Sequence, residues 1–379
     1  MNKLKIRLNK CVSVMANINY WRCFRGVSFV FLVFYSTYFG TIFLLTPFLP
    51  LFFVAPVLTR NITDKIIWCW KLYLVSLLEV IFQTKFRIYG KVPSNEAANL
   101  MIMNHRTRLD WLYLFSYQVR HASVRRYIIS MKNILKFLPG IGWAGQIGGF
   151  IFLDRKWEDD QRTISKCLGV FEHINYKPQI LLFPEGTDLT ETTKKRSDAY
   201  AEKYNLPKYD FVLHPRTTGF THFVQEMKKD EILDCITDIT IAYPGIIPHS
   251  EIDIIKGNFP SEICFLIDWY PNKEIPMHKD DLDNWCKEKW SKKEAVLREF
   301  YEKKSFERAG EELYTNESLI AALSFYSWTI WTIWHVFITY MLWCYPVLWL
   351  YVIVCTIMYV CVSKYTHGFN LLIAKTMNI

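Results

Sequence analysis

The chain has 379 residues, of which 51% are apolar and 21% charged, with a formal net charge of +9. That balance excludes disorder over most of its length, because a disordered segment combines low hydrophobicity with high charge. With 15 Gly and 10 Cys, and no Cys-x-x-Cys pair, collagen-like, disulfide-scaffold and zinc-finger classes fall away too. The cysteines read as free thiols in a reducing compartment, and the modest positive charge suits an anionic membrane surface or phosphorylated substrates as well as nucleic acid.

Residues 1–25 carry Lys3, Lys5, Arg7, Lys10, Arg22 and Arg25 and no acid, a bias that predicts a basic cytosolic tail. Residues 26–59 contain no charge at all, and 34 uncharged residues exceed the roughly 20 that cross a bilayer. Pro47, Pro50 and Pro56 break the second half of this anchor, so it either spans once or dips in and returns as a broken hairpin. Residues 60–85 are predicted to form a mostly apolar helix lying at the membrane interface, with a buried core helix as the alternative.

Between 86 and 310, short apolar runs alternate with helical patterns. Strands are predicted at 86–89, 100–103, 127–131, 150–153, 180–183, 211–213, 239–243 and 263–269, and helices around 108–120, 157–174, 194–204, 217–229 and 280–308. This alternation predicts an α/β domain with a mixed, largely parallel sheet flanked by helices. The Lys- and Glu-rich stretch 279–312 reads as a solvated helical face. Residues 318–363 form a second uncharged run, 46 residues long, which Pro346 divides into two pieces near spanning length. It is predicted to be a two-pass hairpin, leaving 364–379 as a tail. The fold is therefore an α/β domain between N-terminal and C-terminal membrane-embedded helices. The sequons at Asn61 and Asn316 abut membrane segments and as motif matches say nothing about glycosylation.

Three predicted strands run into polar clusters, and strand ends are where open α/β sheets place their sites. The first cluster is Asn104-His105-Arg106-Thr107-Arg108-Leu109-Asp110. Here a carboxylate could hold one imidazole nitrogen and leave the other as a general base, although surface or capping roles fit as well. The second, Gly149 to Arg155, ends in an Arg able to clamp a phosphate or to pair with Asp154 on the surface. The third, Phe183-Pro184-Glu185-Gly186-Thr187, offers an acceptor, a hydroxyl and a Gly that permits close backbone approach, or is a plain strand exit.

In this order the three clusters, followed by Val212-Leu213-His214-Pro215, resemble the glycerolipid acyltransferases typified by 1-acylglycerol-3-phosphate acyltransferase. The similarity covers residues 86–245 and is nearest to the lysocardiolipin acyltransferase branch, as seen in FPEGTDL (183–189) and LHPRTTGF (213–220). Asp188 departs from the Arg found there in phosphatidate-forming relatives. The resemblance implies an acyl-CoA:lysophospholipid acyltransferase with His105 as general base and Asp110 as its orienting partner. Asn104, Arg155, Glu185, Gly186 and Thr187 would bind the acceptor.

The implied partners are acyl-CoA, as co-substrate, a lysophospholipid and the lipid bilayer. No cofactor, metal or nucleic acid is implied, since a thioester is already activated. The acceptor could be lysophosphatidylinositol, lysophosphatidylglycerol, lysocardiolipin or lysophosphatidate. The endoplasmic reticulum membrane is the expected location, with the catalytic domain cytosolic and mitochondria-associated membrane as the alternative. A catalytically silent lipid-binding scaffold, or a thioester or lipid hydrolase using the same His–Asp pair, are the competing readings. Gly140-Ile141-Gly142-Trp143-Ala144-Gly145 imitates a dinucleotide fingerprint but follows Leu138-Pro139 rather than a strand. Arg125-Arg126 and Lys194-Lys195-Arg196 read as solvated faces, with CoA phosphates or anionic lipid as the alternative.

Overall fold

The computed structural model describes residues 20–249, 251–366 and 368–379, so Lys3, Lys5, Arg7 and Lys10 of the basic tail lie outside the described residues. Two helices come first, α1 (Tyr20–Gly40) and α2 (Pro56–Phe82), then β1 (Lys85–Gly90), β2 (Asn99–Met103), α3 (Asp110–His121) and β3 (Tyr127–Lys132). The chain continues through α4 (Ile141–Ile147), β4 (Ile151–Leu153), α5 (Trp157–His173), β5 (Gln179–Leu182), α6 (Glu191–Lys203), α7 (Thr217–Lys229) and β6 (Cys235–Ala242). It closes with α8 (Glu251–Ile255), β7 (Glu262–Pro271), α9 (Lys279–Lys303), α10 (Glu317–Cys344), α11 (Val347–Tyr365) and α12 (Phe369–Thr376).

The seven strands form one sheet in the order β1-β7-β6-β2-β5-β3-β4. Its pairings are parallel except for β6 against β7. The sheet is therefore mixed and largely parallel, as the alternation predicts. β2 lies between β5 and β6 and is buried along its whole length, which is why it reads as an unbroken apolar run rather than an alternating one. Because β2, β5 and β6 are parallel, the loops that leave β2 and β5 emerge at one edge.

Prolines shape the first apolar segment. α1 ends at Gly40, a π turn covers Thr41–Leu45 and a 3-10 helix covers Thr46–Phe53, where Pro47 and Pro50 cannot donate to α-helical bonds. Pro56 then occupies the first turn of α2, the position where its missing N–H costs nothing. At the other end, α10 stops at Cys344 and Pro346 precedes α11. Asn316 caps α10 by accepting from the Leu319 N–H. The segments Tyr20–Phe53 and Val347–Tyr365 are long and apolar enough to cross a membrane. Phe325, Val336, Trp343, Val347 and Ile357 on α10 and α11 are more than half exposed, an apolar surface that water disfavours. The chain is membrane-associated through these helices.

Three stretches differ from the sequence expectation. α2, read as an interfacial helix with a buried core helix as the alternative, is largely enclosed: Tyr73, Leu74, Val75, Leu77 and Leu78 are buried, and Ser327 and Trp331 of α10 both donate to its Cys69 carbonyl. Two of its charges have partners within the protein, Arg60 in Asp64 at 3.6 Å and Lys71 in the Tyr127 carbonyl at 2.9 Å. Residues 211–213 form no strand, because carboxylates take their N–H groups: Glu294 accepts from Phe211 and Val212, and Glu185 accepts from Leu213. Finally, α9 is not merely a solvated face. Leu282, Cys286, Trp290, Leu297 and Phe300 are buried beneath it at helical spacing.

Where the polypeptide packs tightest, glycine is required. A Cβ on Gly140, which has φ +78°, would stand 2.7 Å from the Tyr38 backbone nitrogen of α1. The following α4 turns Trp143 onto the Tyr359 ring of α11, with centroids 4.7 Å apart. The imitation of a dinucleotide fingerprint is thus a helix-packing device.

Candidate active site

The loop leaving β2 folds back on itself so that His105 and Asp110 meet. His105 Nδ1 lies 3.0 Å from Asp110 Oδ2, and the backbone N–H groups of Arg106 and Thr107 donate to the same oxygen at 2.6 and 2.9 Å. The Tyr243 hydroxyl, at the end of β6, donates to Asp110 Oδ1. Asp110 is fully buried with four donors around it, and an ionised carboxylate can only accept. Nδ1 of His105 therefore carries the proton, and Nε2 keeps its lone pair. The imidazole stays partly open to solvent (16%) and stacks on Phe183, centroids 4.1 Å apart. Burial beside Asp110 pushes the Tyr243 phenol well above its ordinary value, which keeps it a donor.

The third cluster is tied directly to the first. Glu185 accepts from the His105 backbone N–H at 3.3 Å, from Leu213 N–H at 3.2 Å and from Trp290 Nε1 at 3.2 Å. The Leu189 N–H donates to the His105 carbonyl at 2.8 Å. Burial pushes the Glu185 carboxyl up to about 8, while its three N–H donors pull the other way. This carboxylate faces inward, locking the His105 loop to α9 and to residues 211–213. Asn104 is likewise turned into the sheet: its amide accepts from the Ile241 N–H at 2.8 Å and donates to the Ile241 carbonyl at 3.1 Å. Both were expected to bind substrate. In the structure their polar atoms bond to the protein.

Arg155 follows β4 with φ +65°, a left-handed conformation that costs a non-glycine residue about 1–3 kcal/mol. Its guanidinium donates to the Gly186 carbonyl, while Asp154 accepts from Asn133 at 2.6 Å, so Arg155 reaches across to the third cluster rather than pairing with its neighbour. Gly186 has φ +71°, and Arg216 passes 3.5 Å from where its Cβ would be. Partial burial and the nearby Arg216 lower the Arg155 value, and Lys132 is lowered by partial burial, by Arg155 and by Arg108. Arg108 meets Asp188 at 3.8 Å. Arg155, Arg216, Lys132 and Arg108 are thus electrostatic neighbours, with Asp188 and Asp160 as the opposing carboxylates, a setting for a phosphate. Thr187 is half-buried there, with its hydroxyl 3.3 Å from Asp188.

The expected site residues Asn104, His105, Asp110, Arg155, Glu185, Gly186 and Thr187 all lie in this one region. Sequence reasoning missed Tyr243, Phe183, Trp290 and Arg216. Trp290 had a signal, since Leu282, Cys286 and Trp290 recur every four residues, and Arg216 stood inside LHPRTTGF (213–220). Tyr243 had none, because nothing in the residue that follows a strand declares its partner.

Comparison with known proteins meets the same residues. An acyltransferase family model matches 85–244, and an acyltransferase C-terminus model matches 253–328. Lysocardiolipin acyltransferase 1 of Gallus gallus is 45% identical over 290 residues, 76% of this chain and 77% of its own. The chain belongs to the acyltransferase family. Lysophosphatidylinositol acyltransferase 10 of Caenorhabditis elegans is 38% identical over 281 residues, covering 73% of this chain and 71% of its own. Among solved structures, the 1-acyl-sn-glycerophosphate acyltransferase of Thermotoga maritima aligns with 70% of this chain and 93% of its own, at 14% identity and a TM-score of 0.42. The enzyme is an acyltransferase whose 85–244 match spans His105, Asp110, Arg155, Glu185 and Arg216.

Proposed function

We propose that this acyltransferase moves a fatty acyl group from acyl-CoA to a free glycerol hydroxyl of a lysophospholipid. The observation that carries the reading is the His105–Asp110 contact of 3.0 Å, with the second imidazole nitrogen free at the strand ends. Nε2 takes the hydroxyl proton as that oxygen attacks the thioester carbonyl carbon. The tetrahedral adduct collapses with cleavage of the C–S bond, and the proton held on Nε2 passes to the departing CoA sulfur. Asp110 stabilises the imidazolium in between. General-base help of this kind contributes about 10²–10⁴-fold, and holding both substrates in place supplies much of the remainder.

Arg155 with Arg216, Lys132 and Arg108 would bind the acceptor's phosphate, and Gly186 and Thr187 would border its glycerol. Asn104 and Glu185 act through the His105 loop. The names of the relatives favour lysocardiolipin (and with it lysophosphatidylglycerol) or lysophosphatidylinositol over lysophosphatidate. The engagement of Asp188 by Arg108, where phosphatidate-forming relatives have Arg, agrees with that order. The role is phospholipid acyl-chain remodelling or biosynthesis at the endoplasmic reticulum or mitochondria-associated membrane. Residues 26–59 and 318–363 serve as anchors, and the 86–310 domain faces the cytosol, where acyl-CoA resides.

The test is CoA release and labelled-lipid formation by purified protein given acyl-CoA and each lysophospholipid in turn. Transfer to one acceptor, reduced at least 10²-fold in His105→Ala with unchanged melting, is the expected result. A fully active His105→Ala overturns the mechanism. Acceptor-independent release of fatty acid identifies a hydrolase, and silence from folded protein identifies a scaffold.

A further inference from the structure

A cavity lies at the end of the strands opposite the candidate active site. His105 and Glu185 follow β2 and β5, whereas Arg125 and Arg126 precede β3 and Lys177 precedes β5, and these three strands are parallel. The cavity holds about 330 Å³ and is lined by Arg60, Arg125, Arg126 and Lys177 against a single carboxylate, Asp64. Its size falls in the range of small-ligand sites, roughly 300–1,000 Å³.

The charges here are unevenly matched. Asp64 is held by the Tyr176 hydroxyl at 2.7 Å and by Arg60 at 3.6 Å. Arg126 meets Glu96, and Lys177 meets Asp234 at 3.0 Å. Arg125 donates at 2.9 Å to the amide oxygen of Asn61, a neutral partner. The Arg60 Nε is buried without a hydrogen-bond partner among the described residues. Arg125, bonded to a neutral partner, is the lining cation best placed to meet an anionic oxygen in the cavity.

The cavity's place in the chain indicates the source of that anion. Val57, Arg60 and Asn61 lie on the first turns of α2, which begins at Pro56, just after the apolar segment ends at Phe53. Val57 and the adjacent Leu58 are more than half exposed. The cavity is therefore built beside the point where the chain leaves the apolar segment, where lipid headgroups lie. A neighbouring crevice lined by Phe52, Val170 and Ile373 shares Arg60 but holds only about 20 Å³. That is room for about one water-sized group, too little for an acyl chain, so any lipid chains would stay in the bilayer.

We infer that this cavity binds the phosphate-bearing headgroup of an anionic membrane phospholipid, at a site separate from the acyl-transfer centre. The full chain in neutral detergent is melted with dioctanoyl phosphatidylglycerol, with dioctanoyl phosphatidylcholine and with inorganic phosphate. Phosphatidylglycerol raises the melting temperature of the wild type, phosphatidylcholine does not, and Arg125→Glu weakens the response at least tenfold. Arg125 touches no part of the acyl-transfer site, so acyl transfer by Arg125→Glu at the wild-type rate verifies its fold and keeps this outcome independent of the catalytic reading. If that variant does not fold, Arg125→Gln, which keeps a donor for Asn61, takes its place. An undiminished response in the variant overturns the site. Equal stabilisation by inorganic phosphate overturns the lipid assignment, and no response to any anion overturns the inference as a whole.

Discussion

Tyr243→Phe isolates one of the four bonds that hold Asp110. The substitution removes a hydroxyl and leaves the ring, so the packing of a fully buried side chain is kept and Oδ1 of a fully buried carboxylate loses its donor. A hydrogen bond to a charged group contributes about 1.5–3 kcal/mol, and here no solvent can replace it. At about 2–4 °C per kcal/mol for a domain of this size, melting falls by roughly 3–12 °C. The three donors on Oδ2 remain, so His105 keeps its tautomer and its position. Tyr243 touches no substrate in the mechanism proposed, which predicts a fall in kcat of up to about tenfold with KM unchanged for both substrates. The assay is steady-state kinetics with acyl-CoA and the preferred lysophospholipid, paired with thermal unfolding. Adding Asp110→Asn closes a double-mutant cycle, in which a coupling of about 1–3 kcal/mol is expected. Unchanged melting with no coupling to Asp110 would refute the reasoning, because the hydroxyl would then bear no relation to the carboxylate.

Other expectations follow from the same geometry. Glu185→Gln places an NH₂ against the Leu213 N–H or against the His105 and Trp290 donors, so stability drops by about 1–3 kcal/mol. The wild type also carries a pH signature from this residue: a carboxyl raised to about 8 supports the fold fully below its unfolded value and loses that support as pH rises through about 8. Melting measured from about pH 5 to 8 declines in the wild type and is flatter in Glu185→Gln; identical slopes count against a raised Glu185. Arg155→Gly relieves a left-handed backbone and removes a guanidinium, which raises KM for the acceptor several-fold without lowering the melting temperature. An unchanged acceptor KM places the phosphate elsewhere.

The sheet was legible because its strands are short apolar runs punctuated by helices, and β2 could be read from LMIM alone, since a parallel strand buried on both faces needs no alternation. The breaks at Pro47, Pro50 and Pro346 were legible for a covalent reason, the missing donor. What sequence pattern could not supply was the far partner of a polar group. Residues 211–213 have a strand's composition, yet Glu294, 81 residues beyond Leu213, supplies the acceptor that a neighbouring strand would have offered. Likewise Arg60, Asp64 and Lys71 argue for an interface only while their partners Tyr176 and Tyr127 are unknown.

Glu185 shows the same limit inside the site. Its position in Phe-Pro-Glu-Gly-Thr suggests a group that meets substrate, because motifs give residue type and order but not direction. Its burial and its three protein donors turn it away from the cleft and make it the clasp between the His105 loop and α9. A clasp and a ligand both make a residue indispensable, so loss of activity on substitution does not separate them. Their consequences for stability do. A substrate contact can be removed with little loss of folding free energy, whereas the clasp is satisfied in the unliganded protein and its removal lowers stability before any substrate is added. The melting of Glu185→Gln without ligand therefore decides its role, and a variant that melts as the wild type does but has lost acceptor affinity returns Glu185 to the cleft.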